Sequence, residues 1–191
     1  MGNREALLAG AKRCLYEKGY ARTTARDIAA AAGTSLAAIG YHFRSTEALM
    51  NAALFEAMDE WGQEVRGKLT AGIDPDAGAL ERFETYWTRL YESFAEQREM
   101  LAATFEVLAQ MDRVPELRPV LAEGIEDGRR MWAAVLQGID VDEDPAAAHA
   151  VGSFYQALFS GLLVQWMIDP ERAPTPRQLV EGLRIVATGL S

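Results

Sequence analysis

The chain has 191 residues, 49% hydrophobic and 25% charged, with a net charge of −9, which suits a globular protein able to bury a core. A single cysteine, Cys14, excludes both a disulfide framework and a thiolate zinc cluster within one chain and fits a reducing cytosol. The opening MGNREALLAG has no cleavable apolar segment, and Ala6 stands where a myristoylation signal needs Ser or Thr.

In chain order the pattern is helical nearly throughout. Leu7, Leu8, Ala11, Cys14 and Leu15 repeat at helical spacing, and Gly19 is placed to end that helix in a left-handed cap. Thr24 and Asp27 have capping-box spacing and start a second helix running to about Ala31. After Ser45 one long helix runs through TEALMNAALFEAMDEWGQEVRGKL, and GIDPDAG then breaks the pattern as the best subdomain joint. Leu80, Phe83, Trp87, Leu90 and Phe94 make a narrow apolar seam on an otherwise charged helix. Helices follow near 98–111, 117–138, 146–168 and 176–190, the last started by a Thr175 cap with Pro176 at its first position and Gln178 at its third. The most apolar window, SFYQALFSGLLVQWMI, is interrupted by Ser153, Gln156, Ser160 and Gln165, runs short of a bilayer span, and reads as a buried helix. The expected fold is all-α, with about nine helices and no sheet.

Charge is unevenly spread. Residues 1–50 hold seven Lys/Arg against four acids, a balance of +3, and the remainder carries −12. A basic head on an acidic body is the asymmetry expected when one end meets a polyanion.

Within that head, TTARDIAAAAGTSLAAIGYHF has the spacing of a helix-turn-helix. Ala29 and Ala32 supply the small side chains that a close helix crossing needs, and Gly33 permits the turn's positive φ. Thr34 or Ser35 caps the second helix, with Ile28, Ile39 and Phe43 facing inward and Leu36, Ala37, Ala38, Gly40, Tyr41 and His42 nearer the outside.

The stretch GYARTTARDIAAAAGTSLAAIGYHFRSTEAL resembles the N-terminal signature of the TetR family of bacterial transcriptional regulators. The resemblance covers roughly residues 4–54 and implies an all-α homodimer, with a three-helix DNA-binding head and a body holding an effector pocket and the dimer bundle. The division it suggests is 1–50 for DNA binding and 51–191 for effector binding and dimerisation. The implied DNA-facing set is Thr24, Arg26, Thr34, Ser35, Ala37, Ala38, Gly40, Tyr41, His42 and Thr46. Thr24, Tyr41 and His42 suit phosphate, Arg26 is the fork able to pair with guanine, and Ala37 and Ala38 offer methyl contacts. Gly40 stands where a larger side chain is common. Thr46 replaces the usual phosphate-binding lysine, a loss for which Arg44 compensates.

In the body, Trp87, Tyr91, Phe94, Phe105, Trp132, Phe154 and Tyr155 either line an apolar effector pocket or form plain core, and Glu106 and Gln156 need partners wherever they are buried. A dimer requires a self-complementary apolar surface, and two stripes qualify: Ser153, Ala157 and Gly161 on one helix, and Leu179, Leu183, Val186 and Leu190 on the last. The other reading of those stripes is intramolecular core.

With His149 the only histidine besides His42, no metal site is indicated, and no carboxylates fall in a catalytic spacing. The sequence therefore points to a cytoplasmic DNA-binding regulator. The expected form is a repressor binding an inverted-repeat double-stranded operator as a homodimer and released by a small-molecule effector, with no cofactor, no membrane partner and no enzymatic activity. An all-α small-molecule binding protein or enzyme with a degenerate head is the other class left open.

Overall fold

The computed structural model describes residues 2–71, 77–109, 111 and 117–189. Among them are nine helices and no strand: α1 (Asn3–Lys18), α2 (Ala25–Ala32), α3 (Leu36–Phe43), α4 (Thr46–Thr70), α5 (Ala79–Glu96), α6 (Arg98–Ala109), α7 (Leu117–Gln137), α8 (Pro145–Ile168) and α9 (Pro176–Gly189). Most of the joint expected at GIDPDAG lies outside the described residues.

The chain forms two compact units, one from the described residues within Met1–Gln63 and Gln97–Pro115, the other from those within Glu64–Glu96 and Glu116–Ser191. α4 contributes to both. The first unit thus holds α6 in addition to the helices of the sequence-defined head.

In the first unit, Leu7, Leu15, Ile28, Leu49 and Leu54 are fully buried. Gly10 brings α1 against the end of α2: a Cβ there would lie 2.9 Å from the Ala32 Cβ and 3.0 Å from its backbone nitrogen. Gly33 adopts the left-handed conformation expected of it, φ 63° and ψ 31°, and its N–H closes α2. Gly19 also has positive φ, but ψ of 163° puts it outside the left-handed helical cap expected from the sequence.

The second unit is organised by α7 packed along α8 and α5 against α9. Gly152 permits the α7–α8 approach, because a Cβ at that position would lie 2.2 Å from the Arg129 carbonyl oxygen. One turn on, Gln156 sits against Gly128. By length and composition α8 could cross a bilayer, contrary to the shortfall read from its interrupted window. Nor is it fully buried. Gly152, Tyr155, Leu162, Leu163 and Trp166 turn inward, while Phe154, Ala157, Gly161, Val164 and Ile168 are exposed, because α7 covers one face only.

Gly152→Ala is expected to destabilise the protein by about 1–3 kcal/mol, since backbone rather than a flexible side chain must move. Gly124→Ala, on α7 with open space around it, should instead stabilise by about 0.5–1 kcal/mol. Urea unfolding monitored by circular dichroism compares the two.

Candidate nucleic-acid interface and ligand cavity

The helix-turn-helix is set by local hydrogen bonds. The Asp27 backbone N–H donates to Thr24 Oγ1 at 3.3 Å, and the Asp27 carboxylate accepts from the Thr24 N–H at 2.9 Å and its hydroxyl at 2.7 Å. Lys18 closes an ion pair on the same carboxylate, tying the end of α1 to the start of α2. Donation from Lys18 first, then from Thr24, holds the Asp27 carboxyl well below the usual carboxylate range. Its contribution to stability is therefore present above the unfolded carboxylate value and lost only as pH falls through the depressed folded one.

α3 presents the expected outer face. Leu36, Ala37, Gly40 and Tyr41 are exposed, Tyr41 at 85%, and Ala38 and His42 are half-buried. Ile39 and Phe43 face the core. The Tyr41 and His42 rings meet edge-on at 4.9 Å. Neither candidate N-cap acts as one: Ser35 occupies the position without a side-chain bond, and the Thr34 hydroxyl is buried with no partner. At the next helix Ser45 caps α4 through the Ala48 N–H at 3.0 Å, leaving half-buried Thr46 as the first helical residue.

Most basic residues of the head are engaged within it. Lys12 bridges Glu56 and Glu60, Arg13 donates to the Ala31 carbonyl, Arg22 donates to the Lys18 carbonyl, and Arg4 lies 5.1 Å over the Phe43 ring. Arg26 and Arg44 are exposed and make no ion pair or side-chain hydrogen bond among the described residues. The compact unit also takes in Glu56, Asp59 and Glu60, which cancel the +3 counted over residues 1–50. What the head presents is two free guanidiniums beside helix N-termini, not a basic body.

Arg44 carries a further signal invisible in sequence. It ends α3 with φ 68° and ψ −40°, a strained conformation for a residue with a side chain. Arg44→Gly is expected to raise unfolding free energy by up to about 1 kcal/mol, strain relief outweighing the added freedom of the unfolded chain. Thermal unfolding of the two proteins measures it.

The aromatic set expected to line a pocket separates. Phe105 and Glu106 lie on α6, in the first unit, where the Glu106 charge acts on Tyr20. Tyr20 donates to Asn51 Oδ1 at 2.6 Å, and burial, reinforced by the charges of Glu47 and Glu106, pushes its phenol up to about 12. In the second unit Trp87, Phe94 and Trp132 are core, with the two indoles stacked at 6.4 Å and Phe94 between Phe159 and Trp166. Gln156 Oε1 accepts from Trp132 Nε1 at 2.9 Å, which supplies the partner its burial required. Tyr91 donates to the Pro174 carbonyl at 2.7 Å, and Phe154 is 58% exposed.

Of that set, Tyr155 lines a cavity. The space, about 330 Å³, lies among α5, α7, α8 and α9, with Leu80, Arg82, Phe83, Gln137, Tyr155 and Leu183 in its wall. Leu183, expected at a dimer surface, thus belongs partly to this cavity. Leu179 and Ser153 are half-buried, Val186 is exposed, and Leu190 lies outside the described residues. The exposed apolar face of α8 is centred on Phe154, Ala157, Gly161, Val164 and Ile168, shifted from the small-residue stripe expected, with Ile185 and Val186 exposed on α9. The signal for that shift is the 3.6-residue period, which puts Phe154 rather than Ser153 on the side away from Gly152.

Comparison with known proteins gives two consecutive family matches: residues 7–53 match bacterial regulatory proteins of the tetR family, and residues 78–186 match the tetracyclin repressor-like C-terminal domain. The chain is 28% identical over 170 residues to an uncharacterized HTH-type transcriptional regulator, Rv1556 of Mycobacterium tuberculosis, covering 88% of this chain and 78% of that one. It is 34% identical over 88 residues to the HTH-type transcriptional repressor Rv1474c of the same species, 46% of this chain and 47% of that one. Among solved structures, the multidrug binding protein EbrR complexed with imidazole aligns with a TM-score of 0.68 at 27% identity, covering 96% of this chain and 94% of that one.

Proposed function

The chain belongs to the TetR family of bacterial regulatory proteins, and from that premise we propose that it is a cytoplasmic, ligand-responsive repressor that binds an inverted-repeat operator as a homodimer. The observation that carries this reading is the outer face of α3, with Leu36, Ala37, Gly40 and Tyr41 solvent-facing on a helix pinned from behind by Ile39 and Phe43. Such a helix fits the major groove, with Arg26 as the guanine-reading fork. Thr24, Ser35, Tyr41, His42, Thr46 and Arg44 are the backbone-side contacts, while Thr34, with its hydroxyl buried, is left out of that set. The free Arg44 guanidinium supplies the charge that Thr46 lacks.

Repression is supported by the name of Rv1474c, and a ligand-binding body by EbrR. The effector must bind an operator-incompetent spacing of the two heads more tightly than the competent one, because equal affinity shifts nothing. Regulation of this kind asks no chemistry of the protein, and none is proposed.

The experiment is selection of bound sequences from a random DNA pool, followed by gel shifts at several salt concentrations. Inverted repeats with half-sites about 34–36 Å apart, or a multiple, are expected. No sequence enrichment would sink the regulator reading in favour of a small-molecule binding protein with a degenerate head. Arg26→Ala should relax base preference at one position per half-site by about 1–3 kcal/mol. A uniform loss across all sequences would make Arg26 a phosphate contact instead.

The dimer is proposed on the exposed apolar face of α8 with that of α9, where Phe154, Ile168, Ile185 and Val186 are each more than half exposed. Gly161 is exposed with open space around it, so a side chain there disturbs no contact within the chain. Gly161→Arg is therefore expected to yield folded, helical monomers that lose operator binding, because an unpaired charge at a close apolar crossing is costly. Sedimentation of an intact dimer with wild-type operator affinity would remove this face from the interface.

A further inference from the structure

Resting on the ligand-responsive reading above, we propose that the cavity among α5, α7, α8 and α9 is an effector site for a small monocarboxylate with an apolar body. Its walls combine aromatic and aliphatic surface from Leu80, Phe83 and Leu183 with a comparable share of polar surface, and the only cation among the described lining residues is Arg82. Arg82 is half-buried and spends one N–H on the Ala77 carbonyl. It forms no ion pair among the described residues, and no carboxylate among them lines the space. A guanidinium has five N–H donors, so most of its capacity and all of its charge are left unmatched by the described residues.

The second donor is the Tyr155 hydroxyl. Tyr155 is 6% exposed, and its oxygen accepts from Gln137 Nε2 at 2.6 Å, an arrangement that leaves the phenolic proton with no acceptor among the described residues. Tyr86, by contrast, is satisfied by donation to the Val135 carbonyl at 3.1 Å. One cation and one O–H donor among the lining residues call for a ligand group carrying one negative charge and two acceptor oxygens, which is a carboxylate. A phosphate dianion would bring a second charge with no second cation among the described lining residues to match it. The volume of about 330 Å³ sits at the lower end of small-molecule sites and selects a compact body.

Titration calorimetry of the full chain with three probes tests this: octanoate, octan-1-ol and octylamine. Octanoate is expected to bind one per chain, at least about tenfold tighter than the alcohol, the scale of one charged hydrogen-bonded pair, with the amine weaker still. Arg82→Gln should erase the preference for the acid while leaving the affinity for the alcohol in place. Tyr155→Phe should weaken octanoate severalfold with the same indifference toward the alcohol. Leu183→Trp, which fills the space, should abolish both, and Leu80→Trp from α5 takes its place if the first variant changes the circular dichroism. Absence of binding, equal affinity for acid and alcohol, or an unchanged preference in Arg82→Gln each overturns the proposal. Operator binding separates this inference from the reading it rests on. Octanoate that fills the cavity without loosening operator DNA leaves the site standing and removes its effector role. Effector release of operator that survives both tryptophan variants leaves the regulator standing and removes this site from it.

Discussion

The second unit depends on how closely α8 can lie against α7, and Gly152 sets that distance. Its missing side chain leaves room for the Arg129 carbonyl oxygen, which any Cβ would overlap. Once that face of α8 is committed, helical geometry dictates the rest. Tyr155 turns inward to the cavity, and Gln156 falls opposite Gly128, where its amide oxygen meets the Trp132 indole. Phe154, Ala157, Gly161, Val164 and Ile168 are left facing away, on the side α7 does not cover. One backbone approach thus separates three surfaces: a stacked indole core, a cavity wall and an exposed apolar face.

The head solves a different problem with smaller means. α2 and α3 are eight residues each, too short to be stable alone, so their order comes from ties to neighbours. The Lys18–Asp27–Thr24 cluster fixes the start of α2, Gly10 admits Ala32 at its end, and Phe43 under Arg4 holds the end of α3. The cost of that economy is charge. Arg4, Lys12, Arg13, Lys18 and Arg22 serve the fold, which leaves Arg26 and Arg44 as the guanidiniums unengaged within it. A DNA surface built on so few free cations relies on helix N-termini, backbone groups and hydroxyls for phosphate contact more than on a broad positive field.

What was legible in the sequence is what depends on residues close together in it. The capping boxes at Thr24–Asp27 and Thr175–Gln178 have short-range chemistry and form as expected. The turn glycine Gly33 and the inward set Ile28, Ile39 and Phe43 follow from local conformation and period. Contacts between distant segments were not legible. Nothing near Gly152 or Gly10 announces the Arg129 carbonyl or Ala32. Phe154 and Tyr155 are adjacent aromatics of equal promise as pocket residues, yet one helical step sends one to solvent and the other to the cavity. Phe105 and Glu106 have the composition of a pocket wall, but the fold puts them with Tyr20 in the unit that holds the helix-turn-helix. The positive φ of Arg44 has no sequence signal, since nothing in RST marks the strain.

α9 carries the last step of the argument. It is amphipathic in an unusual sense: Val180 is buried, Leu183 lines the cavity, and Ile185 and Val186 project from the exposed side. A molecule filling the cavity therefore presses on the same helix that supplies part of the proposed interface. Such a ligand can influence assembly without touching the partner chain, but only to the extent that its affinity differs between two placements of α9. A thousandfold difference is worth about 4 kcal/mol, while a ligand indifferent to the position of α9 would do nothing however tightly it bound. The packing available for such a difference is modest. Only Val180 is buried along α9 within the single chain among its described residues, so little apolar burial within the chain opposes a small displacement of that helix, in contrast to the α7–α8 pair locked at Gly152. The fold thus joins one rigid crossing to one lightly held helix, and the cavity lies where the two meet.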